Sequence, residues 1–136
     1  MVVVAILAII AAFVVPQFKP YMMERRLNGA ARQVMSDLMA ARMTAVSQNK
    51  KVKIFFFDDH QYKICDDANG DGTVANGEGT VQNRDIQSDY SGVTLAKTAD
   101  PVFQLNGTAN GTTITLSNSM GTKTVKVATT GRVLIE

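Results

Sequence analysis

The stretch Asp67-Ala-Asn69-Gly-Asp71-Gly72-Thr73-Val-Ala75-Asn-Gly-Glu78 carries oxygen-bearing side chains at alternating positions, then a glycine, and closes on a glutamate. This spacing fits the twelve-residue pattern of a calcium loop. Calcium is a hard cation that takes six to eight oxygens, several of them anionic. Asp67, Asn69 and Asp71 alternate, so their side chains can converge on one centre. Gly72 permits the sharp turn, Thr73 supplies a backbone carbonyl, and the Ala75 position acts through water. Glu78 closes the shell with both oxygens. Asp, Asn and Gly dominate any surface turn, so a plain acidic loop is the competing reading. Five diagnostic residue types at fixed offsets favour Ca2+. The expected affinity is that of extracellular modules, roughly 10⁻⁴ to 10⁻³ M, because a strand rather than a helix leads into the loop. A bound ion would be structural, neutralising Asp66, Asp67, Asp71 and Glu78.

Other reactive side chains form no constellation. His60 is the only histidine. It falls in a turn beside Asp58 and Asp59, where an exposed histidine is expected. Cys65 is the only cysteine, so no internal disulfide can form, and burial as a small hydrophobe is its expected fate. No phosphate loop, dinucleotide fingerprint or zinc spacing occurs. The chain therefore reads as a protein without catalytic residues. The aromatic run Phe55 to Phe57 is expected in the core rather than as a base-stacking platform.

The net charge of +2 conceals a polarity along the chain. Lys19 to Lys53 holds eight basic and two acidic residues, whereas Ile54 to Asp89 holds eight acidic and two basic ones. A nucleic-acid-binding protein concentrates basic charge without such a counterweight. Complementary blocks suit contact between copies of one chain.

The elements that position these groups follow from periodicity. Met1 to Val15 contains no polar side chain, and such a run must sit in lipid or against other apolar helices. Its length is roughly 22 Å, against the ~30 Å of a hydrocarbon core. Pro16 and Pro20 predict a bend or loosened stretch over Val15 to Tyr21. From Met22 to Gln48, Met23, Leu27, Ala30, Val34, Leu38, Ala41 and Ala45 recur at spacings of three and four, predicting a helix with one face on a sheet. Asn49 and the lysines after it suit its C-terminus. Strands are predicted at Lys51–Phe57, Gln61–Cys65, Val81–Ile86, Val93–Leu95, Thr112–Ser117, Thr122–Ala128 and Arg132–Ile135. The fold class is α+β. A hydrophobic stem, residues 1–21, precedes a head, residues 22–136, in which the helix packs on one face of an antiparallel sheet over 51–136.

The stem sequence Met1 to Pro16 resembles the N-terminal stem of type IV pilins and type II secretion pseudopilins. It looks like that stem with its opening residues, among them a phenylalanine and a glutamate, absent. About six more residues would bring the run near the ~20 that a bilayer requires. The Ala-Ala-Arg-Gln, Ser-Asp-Leu and Ala-Ala-Arg steps within Leu27 to Val52 resemble the helix of the H-type minor pseudopilin and its T-type fimbrial relative. The ending Thr129 to Ile135 resembles the last strand of the same group.

The resemblance implies a structural subunit that polymerises through its stem into an extracytoplasmic pilus or pseudopilus. Val2, Val3, Val4, Ile6, Leu7, Ile9, Ile10, Phe13, Val14 and Pro16 would form the filament core. The implied partners are further copies of the chain, inner-membrane lipid before assembly, and the pilus or secretion machinery. The implied location is the inner membrane, then an extracellular or periplasmic filament. The alternative is a minor tip subunit of a secretion or DNA-uptake machine whose head binds a partner or DNA. Some T-type relatives bind DNA through two arginines separated by one residue. Here Arg132 is present and Leu134 takes the second place, which weighs against nucleic acid.

Overall fold

The computed structural model describes residues 1–14, 18–79 and 82–136. The bend expected at Val15 and Pro16, and the start of the strand expected from Val81, lie outside the described residues. Two helices open the chain, α1 over Val2–Val14 and α2 over Phe18–Gln48. Helical structure is thus described from Phe18, before the expected Met22, and Pro20 lies within α2.

Helix α2 ends as its sequence dictates. Asn49 takes a left-handed conformation, φ 53°, and the Lys50 amide donates back to the Ala45 carbonyl at 3.1 Å. Asparagine tolerates that backbone better than most residues, and the back-bond satisfies a carbonyl that the helix leaves open. The expected apolar stripe is the buried face. Leu27, Ala30, Val34, Leu38, Ala41 and Ala45 are buried together with Ala31, while Met23 at its upper end is half-buried.

Eight strands follow: β1 Val52–Phe56, β2 Gln61–Asp66, β3 Gln82–Asp85, β4 Thr94–Lys97, β5 Val102–Phe103, β6 Thr112–Asn118, β7 Gly121–Val127 and β8 Val133–Ile135. They form two four-stranded antiparallel sheets, ordered β3-β2-β1-β5 and β4-β6-β7-β8. The single sheet expected beneath the helix is therefore two, and α2 spans both, touching β1 and β5 of one and β6, β7 and β8 of the other. The reason lies in β4 and β5. Thr94 to Lys97 pairs with β6 (Leu95 opposite Leu116), and Val102–Phe103 returns to pair with β1. Both pairings are non-local and carry no turn signal in the sequence. The strand expected to run to Ile86 stops at Asp85, whose carboxylate caps the short helix α3, Ile86–Asp89, by accepting from the Gln87 amide at 2.9 Å.

Alternation on β1 corrects one expectation. Val52 and Ile54 are buried and Phe56 packs against the core, but Phe55 and Phe57 face outward. The ammonium groups of Lys53 and Lys63 lie over the Phe55 and Phe57 rings, at 4.4 and 4.6 Å. Strand geometry sends alternate side chains to opposite faces, so three consecutive phenylalanines cannot all enter one core.

The helix is also tied to the sheet by one buried carboxylate. Asp37, on the buried side of α2, accepts from the Tyr62 hydroxyl at 2.6 Å, from Arg84 Nε at 3.1 Å and from the Gln33 amide at 3.1 Å. Burial, and then the Asp37 hydrogen bond, push the Tyr62 hydroxyl well above the usual tyrosine range, so it stays a donor. The turn before β8 relies on Gly131, φ 80°, where a Cβ would stand 1.8 Å from the Gly107 carbonyl oxygen. Asp37→Ala strands the Tyr62 hydroxyl and removes the partner of Arg84. It is expected to cost about 3 kcal/mol in urea unfolding of the detergent-solubilised chain, with Asp37→Asn costing less.

Candidate functional site

Three surfaces carry the side chains singled out by the sequence: the stem, the acidic loop and the hairpin around His60. Every described residue of α1 is exposed in the isolated subunit. Exposure is 73% at Val2, 69% at Val3, 66% at Val4, 51% at Ile6, 61% at Leu7, 59% at Ile9, 53% at Ile10, 74% at Phe13 and 47% at Val14. Pro16 lies outside the described residues. An α-helix satisfies its own backbone, so a rod of valine, isoleucine, leucine and alanine can enter lipid with no polar group left unpaired. The N-terminal helical segment is long and apolar enough to cross a membrane. In water the same rod would leave a continuous apolar surface uncovered, which marks it as a membrane or protein contact.

The loop after β2 draws Asp67, Asn69, Asp71, Thr73 and Glu78 into one hydrogen-bonded coil. Asp67, itself buried, accepts from the Gly70 and Gly72 amides at 2.8 and 2.9 Å. Asn69 Oδ1 accepts from the Asp71 amide at 2.8 Å, and Asp71 Oδ1 accepts from the Thr73 hydroxyl and amide at 2.6 and 2.7 Å. Glu78 bridges back, accepting from the Asn69 amide at 3.1 Å and the Ala75 amide at 2.9 Å. The Thr73 hydroxyl, foremost, holds the Asp71 carboxyl below the usual carboxylate range. Gly70, Gly72 and Gly77 all take positive φ, which the coil requires. Sequence reasoning missed Lys51, whose ammonium donates to the Gly72 carbonyl at 2.6 Å. Its only signal was its place at the end of α2, and chain separation hid the contact.

Among the described residues, the group whose ligand atoms all lie within 4.8 Å of one another is Asp58, Asp59 and His60, not the carboxylates of the loop. His60 is half-buried rather than exposed as expected, and its Nδ1 sits 2.8 Å from Asp59 and 3.4 Å from Asp58. The Asp58 carboxylate accepts from the His60 and Gln61 amides at 3.0 and 2.7 Å, which shapes the β1–β2 turn. Cys65 is buried, as expected, and unbridged. Arg132 is exposed beside the last turn, where its carbonyl accepts from the Ala128 amide at 2.8 Å.

The head itself decides the family. Residues 30–131 match the family model described as type II transport protein GspH. The chain belongs to the GspH family. It is a pilin-like subunit of a type IV pilus or type II secretion pseudopilus. Solved structures share the fold. The type IV minor pilin FimU of Pseudomonas aeruginosa superposes with a TM-score of 0.64 at 19% identity, covering 85% of this chain and 92% of that one. The minor pseudopilin EpsH from the type 2 secretion system of Vibrio cholerae gives 0.64 at 8% identity, covering 82% and 96%. No curated protein sequence matches this GspH-family chain.

The Asp59 hydrogen bond, above all, raises the His60 pKa from its ordinary 6.5. A raised folded value means that the pairing contributes stability below pH 6.5 and loses it as pH climbs through the folded pKa. Because the sequence holds one histidine, its imidazole protons report alone by NMR. The expected midpoint lies above 6.5, and Asp59→Asn is expected to lower it.

Proposed function

We propose that this GspH-family chain is a minor subunit of its filament. On this reading α1 is held first in the inner membrane and then moves among the stems of neighbouring subunits. The observation that carries this is the stem itself, in which nine large apolar side chains from Val2 to Val14 are exposed and none is buried. Burying that area is favourable at about 25 cal/mol per Å², and lipid and a bundle of stems both provide the cover. The solved neighbours FimU and EpsH, both described as minor subunits, support the minor assignment. The head, with its satisfied core, forms the outer surface and contacts the assembly machinery. Placing charge in the stem opposes both environments, at about 2.5–3.5 kcal/mol per residue in the membrane. Ile6→Asp combined with Ile9→Asp is expected to leave head melting unchanged and to reduce recovery in purified filaments at least ~10-fold. Recovery at the wild-type level would overturn the proposal. Quantitative mass spectrometry of the same filaments should find the chain scarce beside the principal subunit.

The same reading includes a structural calcium ion in the loop after β2. Asp67, Asn69, Asp71, Thr73 and Glu78 would hold it. Support comes from the twelve-residue spacing and from the amide network that gathers these side chains into a single coil. The ion would add cationic charge where the loop otherwise holds only carboxylates and the Lys51 ammonium. At ~10 mM calcium, a site of extracellular-module affinity adds about 1.4–2.7 kcal/mol to head stability. Asp67→Ala with Asp71→Ala is expected to abolish that gain in thermal melts. A wild-type melt that ignores both calcium and chelator would remove the ion from the proposal.

A further inference from the structure

Just past the stem, α2 presents a groove lined by Met22, Arg25, Arg26, Arg32, Asp89 and Tyr90. Tyr90 forms its wall by packing on Gly29, where an added Cβ would come within 2.4 Å of the ring. Arg26 donates to the Ser91 hydroxyl at 3.1 Å, and the Arg25 guanidinium lies 5.9 Å over the Tyr21 ring. Among the described residues, neither these arginines nor Lys19 take part in an ion pair. Glu24 on the same helix and Asp89 on the rim are the opposing charges.

The order along the chain has a physical reading. An apolar rod comes first, then two exposed aromatics, Phe18 and Tyr21, with Lys19 between them, then Arg25 and Arg26. That is the order of a bilayer's layers: hydrocarbon, aromatic belt, phosphate. Arg25 and Arg26 stand about 6–8 Å along α2 beyond Tyr21, the thickness of a headgroup layer. Helical side chains lean toward the N-terminus, and the Arg25 guanidinium reaches back over Tyr21, while Arg26 is held by Ser91. Guanidinium binds phosphate oxygens through paired donors. Arg32 lies farther away and contributes through the weaker, screened field.

We propose that the groove formed by Arg25, Arg26 and Arg32 against Tyr90 docks the phosphate headgroup of an anionic phospholipid. The docked lipid holds the head upright on the membrane before the subunit enters a filament. This rests on the stem being a membrane anchor, and the experiment separates the two claims. The full-length chain is extracted in mild detergent, offered equal phosphatidylglycerol and phosphatidylcholine, and weighed by native mass spectrometry. A parallel sample is floated with vesicles of the same two lipids. Selective retention of phosphatidylglycerol is expected, falling about fivefold for each of Arg25→Gln and Arg26→Gln. Arg132→Gln should leave it unchanged. Failure to float would overturn the anchor itself. Flotation with equal retention of both lipids, or retention indifferent to Arg25→Gln and Arg26→Gln, would overturn the lipid site alone. Loss of the lipid to ~10 mM inorganic phosphate as readily as to excess phosphatidylglycerol would reassign the groove to free anions. Preferential capture of a short DNA duplex, lost in the same variants, would reassign it to nucleic acid.

Discussion

The head depends on one helix face serving two sheets. The stripe from Leu27 to Ala45 is rich in alanine, so the α2 backbone approaches both sheets closely, and each sheet fills what the other leaves open. Val52, Ile54, Tyr62 and Phe103 rise from one sheet and Ile114, Leu116, Val125 and Val127 from the other. A larger residue at Ala30 or Ala45, both fully buried, would force the helix away from what it packs on. The Asp37–Tyr62–Arg84 contact then fixes the register of helix against strand. Apolar packing alone is tolerant of sliding, whereas a buried carboxylate must keep its donors.

This arrangement explains which parts of the fold were legible in sequence. The stem and the α2 stripe were readable because helical period is local and both segments are long. The β1–β2 and β6–β7 hairpins were readable because apolar alternation and turn residues lie side by side. The division into two sheets was not, since β4 and β5 find their partners across long stretches of chain. Asp37 looked like an ordinary charge on a helix, and only the fold places Tyr62 and Arg84 beside it. The site was legible to a similar degree. The residues of the acidic loop announced themselves by spacing, whereas Lys51 and the groove beside Tyr90 exist only once distant segments meet.

The charge blocks along the chain acquire places in the fold. Arg25 and Arg26 lie near the stem end of α2, Arg32 at its middle and Arg42 toward its far end. The acidic loop sits at the other end, anchored where α2 gives way to β1 by the Lys51 contact and by the Asp67 amide donating to the Lys51 carbonyl at 2.9 Å. A contact between unlike surfaces of identical or similar subunits repeats without closing, which is the geometry of a filament.

Strand β3 limits how such growth can occur. It is the outer strand of its sheet, and Gln82, Asn83, Arg84 and Asp85 are all exposed. An uncovered strand edge invites backbone pairing with another molecule, and charged, polar, short edges discourage it. With its described residues all polar or charged, and Asp85 already turned into a helix cap, β3 offers a poor template for cross-β aggregation. A filament subunit held beside its neighbours is thereby guarded against amyloid-like stacking of its head.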